Sequence, residues 1–299
     1  MTGLPFITDM ADPHLVLPSR PAPGFFLASR RTESTFEEIP VIDFTDARST
    51  DPAKRRALAD LIRDASINVG FFYLKNHGIS EERVANVLEA SKRFFALDIS
   101  TKMELQPKKL DIGKTSNFKG YTALLQENVN PAGQGDLHEG FDIGWEAELP
   151  SDAPVFTKTT SGAMSGTNVW PSNLPGFKEA VLAYYHDAIG LGKLLFPLFA
   201  LALDLSEDFF DDKTTRPAAI MRILHYPPQS SNVDAEGRQI GIGEHTDYEA
   251  SMMFRREIGT LTESASLDRV GGLQVKNAAG KWLDAVHIPE TLVVKYVMI

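Results

Sequence analysis

The sequence predicts an α+β protein in which helices come first and a unit of short strands packs on them. Three observations carry this. Apolar residues recur at helical spacing in three stretches before residue 205. After residue 215 the pattern changes to short strand-like runs parted by Gly and Pro. The 299 residues, 43% of them hydrophobic, suffice for a sizeable buried core.

Residues 1–38 read as an irregular lead. Pro18, Pro21, Pro23 and Gly24 break any regular element, and Phe25, Phe26 and Leu27 are expected to tuck onto the body. Ile39 to Phe44 ends in strand-like alternation. Asp51-Pro52 is a helix start, a capping side chain followed by proline at the first helical position. Leu58, Leu61, Ile62 and Ala65 then share one helical face, and Gly70 ends the helix. Phe71-Phe72-Tyr73-Leu74 reads as a buried strand. A second helix starts near Glu81 and buries Val84, Val87, Leu88 and Phe95.

Between 107 and 175 the periodicity is short, with Phe141 to Trp145 the clearest strand and Gly162 to Gly166 an exposed loop. A long helix is predicted from Phe177 to Leu205, bent or broken near Pro197. Ile220 to Tyr226, Gly271 to Val275 and Thr291 to Val294 are predicted strands. The domain division that follows is a lead over 1–38, an N-terminal region over 39–158, a helical segment over 159–214 and a β unit over 215–299.

A net charge of -10 argues against a general binder of phosphate backbones, which needs Lys and Arg. The absence of cysteine excludes disulfides, thiolate metal sites and cysteine nucleophiles. The most apolar run, Leu194 to Leu203, is too short for a membrane span of roughly 20 residues. The N-terminus lacks a signal-peptide layout. A cytoplasmic protein acting on a small molecule, with neither nucleic acid nor membrane as partner, is the expectation.

The chemistry centres on Gly243-Glu244-His245-Thr246-Asp247-Tyr248. In a strand, His245 and Asp247 point to one side, so an imidazole and a carboxylate converge as a metal requires. Nitrogen and carboxylate oxygen suit Fe(II) and its neighbours. Alone, a His-x-Asp triplet is weak, and an ordinary surface or core pair explains it as well.

Context weighs in. The order Met221-Arg222-Ile223-Leu224-His225-Tyr226-Pro227-Pro228, the His245 segment, Val270-Gly271-Gly272-Leu273-Gln274-Val275, Lys281-Trp282 and Ile288-Pro289-Glu290-Thr291-Leu292-Val293-Val294 closely resembles the isopenicillin N synthase-like branch of the 2-oxoglutarate/Fe(II) dioxygenases. This is the iron/ascorbate-dependent oxidoreductase family. Ile39 to Phe44, Gly70 to Tyr73, Asn76 to Ile79 and Phe141 to Gly144 resemble its N-terminal elements, so the likeness spans 39–294.

The resemblance implies a double-stranded β-helix (jelly roll) with flanking N-terminal helices. It implies Fe(II) held by two His and one carboxylate, with His245 and Asp247 as two of the three. Tyr226 matches a tyrosine that binds the distal carboxylate of 2-oxoglutarate. Leu224 stands where many members carry Asn. Fe(II) and 2-oxoglutarate are the implied cofactors, with ascorbate as an optional third. The implied reaction oxidises a C–H bond as the keto acid is converted to succinate and CO2.

The chain departs from the family in two places. The third ligand and the Arg-x-Ser that grips 2-oxoglutarate should follow the Thr-Leu-Val-Val strand, yet the sequence ends five residues beyond Val294. The last core strands are therefore expected to be missing, the isolated chain poorly soluble and its iron weakly bound. His287 precedes that strand and is not expected to replace the ligand. His225 should face away from Tyr226, and His14, His77, His138 and His186 match no ligand position. The interval from Asp247 to Val270 is about twice the family's usual length, and Ser251 to Ser266 lacks an alternating strand pattern. Read-through of introns accounts for both departures, since Lys295-Tyr296-Val297 can be encoded across a splice-donor sequence. The competing function is a non-catalytic member of the fold, and a third is an oxidase that uses no keto acid.

Overall fold

Helix α1 (Pro52–Asn68) begins where its sequence says it should. Asp51 Oδ1 accepts the Ala53 N–H at 2.9 Å, with Pro52 in the first turn. Such a cap stabilises a helix by about 1 kcal/mol. The helix ends at Gly70, whose N–H donates to Ala65 O at 2.9 Å and whose φ of 78° suits glycine. Its buried face is Leu58, Ala59, Ile62 and Ala65. Leu61, expected on that face, is 55% exposed, because Ala59 rather than Leu61 takes the inward position.

The computed structural model describes residues 35–107, 118–129, 135–146, 167–212, 214, 219–228, 241–245, 251–254 and 272–296. The predicted lead before residue 35, the Gly162 to Gly166 loop and the stretch from Arg255 to Ser266 lie outside them, as does His14.

Helix α2 (Glu81–Phe95) is capped by Ser80 Oγ, which accepts the Arg83 N–H. Glu81 and Glu82 in its first turn and Lys92 and Arg93 in its last complement the helix dipole. A short helix, α3 (Ile99–Met103), follows. Helix α4 (Phe177–Ala202) runs through Pro197 without the break that was one of the two expectations. Proline removes one N–H from the ladder, but burial of the Leu195, Leu198 and Phe199 side chains on either side holds the turn. At its far end Arg56 donates to Leu201 O and Arg63 to Ala202 O, capping carbonyls that the helix cannot satisfy itself.

Two sheets meet these helices. The first has the order β1-β2-β9-β6, from β1 (Val41–Asp43), β2 (Phe71–Lys75), β9 (Thr291–Tyr296) and β6 (Ser251–Phe254). β9 is antiparallel to both β2 and β6, so it is paired on both sides. β6 corrects the expectation for Ser251 to Ser266: a strand forms at its start, because the edge of β9 offers it a ladder of backbone partners. The second sheet has the order β3-β4-β5, from β3 (Gly120–Thr122), β4 (Glu139–Ile143) and β5 (Met221–His225), all antiparallel. A hairpin of β7 (Gln274–Lys276) and β8 (Trp282–Asp284) completes the strands described.

The core forms two clusters joined by α4. Leu191, Leu195 and Leu198 pack with α1 and with Phe72, Leu74, Leu292 and Val294 of the first sheet. Phe177, Val181 and Tyr185 pack with Phe94 of α2 and with Tyr121, Phe141 and Ile143 of the second sheet. Each large side chain so buried stabilises the fold by roughly 1.5–3 kcal/mol. Tyr121 and Phe141 are fully buried core. Among the described residues no helix is long and apolar enough to cross a membrane.

Candidate metal centre

The site is built on one face of the β3-β4-β5 sheet. Alternation along β4 and β5 sorts their side chains. Glu139, Phe141 and Ile143 pair with His225, Ile223 and Met221 and face the helices. Gly140 and Asp142 pair with Leu224 and Arg222 and face the other way, and Tyr226 continues that set. His225 and Tyr226 thus point to opposite faces, as their adjacency predicts.

The outward face carries a chain of charges. Arg222 forks onto Asp142, with Nε to Oδ1 at 2.7 Å and an Nη to Oδ2 at 2.8 Å. Its other Nη donates to Glu127 Oε2 at 2.7 Å. Glu127 also accepts from His138 Nε2 at 3.1 Å, and His138 Nδ1 donates to Gly241 O at 2.9 Å. The bond from His138 holds the Glu127 carboxyl down at about 2, with Arg222 adding to it against burial. For His138 burial works to lower the pKa, but Glu127 and the Gly241 carbonyl reverse the sign and raise it.

Residues 241–245 cross this face as a loop. Gly241 lies so close to Tyr226 that a Cβ there would meet the ring at 2.8 Å, so only glycine fits. The Tyr226 ring rests 5.5 Å from that of His138. Desolvation, with the Asp136 charge behind it, raises the phenol pKa, so the hydroxyl is a proton donor at neutral pH. The ring is 43% exposed, open to a ligand. The Gly243 N–H donates to Asp136 Oδ1 at 3.3 Å.

His245 ends the loop with an exposed ring. Its Nδ1–H donates to Gly243 O at 2.9 Å, which puts the lone pair on Nε2. Fixing the tautomer through a backbone carbonyl is how a metal-ligating imidazole is commonly prepared. The residue therefore fits the nitrogen ligand of an Fe(II) site. Asp247, the expected carboxylate ligand, lies outside the described residues. Among the described residues no three of His, Asp and Glu gather as a metal site.

The other described histidines match no ligand position. His77 is buried and accepts the Ile79 N–H, and His186 donates to Glu146 O. His287 is exposed, in the lead to β9. His138 is buried, with both ring nitrogens engaged as described. Sequence reading missed the chain from Asp142 to His138, because its links join residues far apart in sequence. The one local signal was Arg222, two residues before Leu224 and so on the face of Tyr226.

The family described as "non-haem dioxygenase in morphine synthesis N-terminal" matches residues 39–173. The chain is 34% identical over 249 residues to the 2-oxoglutarate-Fe(II) type oxidoreductase hxnY of Emericella nidulans, covering 82% of this chain and 65% of that protein. It is 31% identical to the 2-oxoglutarate-Fe(II) type oxidoreductase ppzC of Metarhizium rileyi, covering 98% and 76%. Its fold matches the crystal structure of a full-length Neurospora crassa protein in complex with alpha-KG and thymine, at a TM-score of 0.66 and 27% identity, covering 86% and 73%. The chain belongs to the 2-oxoglutarate/Fe(II)-dependent oxygenase family, whose cofactors are Fe(II) and 2-oxoglutarate. The chain spans about two thirds of the first of these relatives.

Proposed function

We propose that this protein oxidises a small organic molecule, using O2 and 2-oxoglutarate at an Fe(II) ion held by His245 and Asp247. The observation that carries this is the His245 imidazole, set by its bond to the Gly243 carbonyl with the lone pair on Nε2. When bound, Fe(II) with 2-oxoglutarate as reductant would activate O2 for C–H oxidation, with hydroxylation as the default outcome. Tyr226, protonated at neutral pH, donates a hydrogen bond to the distal carboxylate of 2-oxoglutarate. Leu224, on the same face, offers an apolar wall where a polar side chain would give a further contact. The thymine-bound neighbour supports a small-molecule substrate.

The test follows Mn(II) binding, as a redox-inert substitute for Fe(II), and succinate formed from 2-oxoglutarate. His245→Ala is expected to abolish both, and Tyr226→Phe to raise the KM for 2-oxoglutarate while leaving Mn(II) binding intact. Metal binding without any succinate would favour the non-catalytic reading. Mn(II) binding unchanged in His245→Ala would end the proposal.

A further inference from the structure

The backbone of the loop that carries His245 takes two ties from the segment 136–138. Asp136 takes the Gly243 N–H, and His138 Nδ1 reaches the Gly241 carbonyl. The second ring nitrogen of His138 reaches Glu127 Oε2, an oxygen that Arg222 also contacts. A carbonyl and an ionised carboxylate can only accept, so both nitrogens of His138 must donate. His138 is therefore an imidazolium, with its side chain only 2% exposed.

A buried cation is costly unless paired and hydrogen-bonded. An apolar side chain could fill the same space without that cost. The register of the sheet does not depend on the charge, since β4 starts one residue later and pairs with β3 and β5. What the charge does is hold a loop carbonyl at a fixed point. Arg222, itself forked onto Asp142, fixes Glu127 from behind, so the tie is anchored in the strands.

We propose that His138 is a positioning residue: a cationic clasp between Glu127 and the Gly241 carbonyl which, with Asp136, fixes residues 241–245 and so aims His245. This rests on the reading of His245 as a metal ligand. It predicts that metal affinity is governed by a residue that never touches the metal, as is common for groups that orient ligands.

Two variants test it. His138→Phe fills the space but removes both donors. Glu127→Gln keeps an acceptor in place: the amide oxygen can take both the Arg222 N–H and the His138 Nε2–H, while Nδ1–H still reaches Gly241 O. Hydrogen exchange of peptides spanning 241–245 is measured on the metal-free protein, and Mn(II) affinity by titration. His138→Phe should speed exchange there and weaken Mn(II) binding by about 10–100-fold. Glu127→Gln should stay at the wild-type value in both. Unchanged exchange in His138→Phe would overturn the clasp, as would a Glu127→Gln as loose as His138→Phe. Faster exchange with unchanged Mn(II) affinity would overturn the positioning role. If the wild-type chain binds no Mn(II), the metal-ligand reading has failed and exchange alone decides the clasp. Should His138→Phe not fold, Asp136→Ala, which cuts the Gly243 tie together with the bond from the Val129 N–H, carries the same expectations.

Discussion

The two faces of the β3-β4-β5 sheet each carry a carboxylate, a histidine and a cation, arranged to opposite effect. On the helix-facing side Glu139 receives Lys102 Nζ at 2.8 Å, His225 Nδ1 at 2.8 Å and the Tyr121 hydroxyl at 2.5 Å. Glu139 and His225 are direct cross-strand partners, and Lys102 also donates to Phe95 O. This network locks strands to helices. On the other side the chain from Asp142 through Arg222, Glu127 and His138 ends on a loop carbonyl. Burial separates the two central carboxylates: the Glu139 side chain is 9% exposed, whereas that of Glu127 is 35% exposed. The same residue types give rigidity where they are sealed in and placement where one end meets a loop.

The sharpest way to break this comparison is Glu139→Ala. It leaves Lys102 charged and buried, and denaturant unfolding should show a loss of about 3–5 kcal/mol. Removing Lys102 as well, as Lys102→Met, should restore part of that loss, because the stranded charge goes with it. Mn(II) affinity per folded molecule should stay the same in both. His138→Phe should do the reverse, with a smaller stability loss and a large change in affinity. Equal stability losses from the two faces would collapse the distinction.

Acid and base sharpen it further. Burial opposes the Glu139 charge, but His225, Lys102 and Tyr121 together hold its carboxyl at about 2, below its ordinary value of 4.5. A depressed carboxylate stabilises above its unfolded pKa and loses that contribution as pH falls to the folded one. Both faces should therefore weaken between about pH 4.5 and 2, since Glu127 also lies at about 2. His138, raised above 6.5, contributes stability that is complete below 6.5 and is lost as pH rises through its folded value. Only the outward face should loosen in alkali. Exchange over 241–245 should rise with pH beyond its intrinsic increase, while that of β4 should not.

The smallest effect belongs at the rim. Lys276 Nζ lies 2.9 Å from Glu244 Oε1, with both side chains well exposed. Lys276→Ala should change stability by roughly 0–1 kcal/mol, and salt should screen even that. A larger change would mean that loop placement depends on the rim as well as on His138.

Much of this fold was legible in the sequence. Asp51-Pro52 announced one helix start by its chemistry, and periodicity announced a second helix from about Glu81 and a third from Phe177 to Leu205. Short strands were harder. β3 has only three residues, too few for a period to show, and β6 depends on the distant edge of β9. The site was legible as far as His245 and Tyr226, because their neighbours in sequence carry the signal. The clasp was not, because Glu127, His138, Arg222 and Gly241 meet only through sheet pairing and loop crossing.

The pairing of β2 with β9 sets an order of events during synthesis. Phe71 to Lys75 takes its antiparallel partner from Thr291 to Tyr296, near the opposite end of the described chain. Until those residues leave the ribosome, β2 has only the three-residue β1 beside it, and Phe72 and Leu74 lack the cover of Leu292 and Val294. Closing so long a loop comes late and slowly. The nascent protein thus carries an apolar, half-paired strand until residues 291–296 have emerged, a state that favours aggregation over folding.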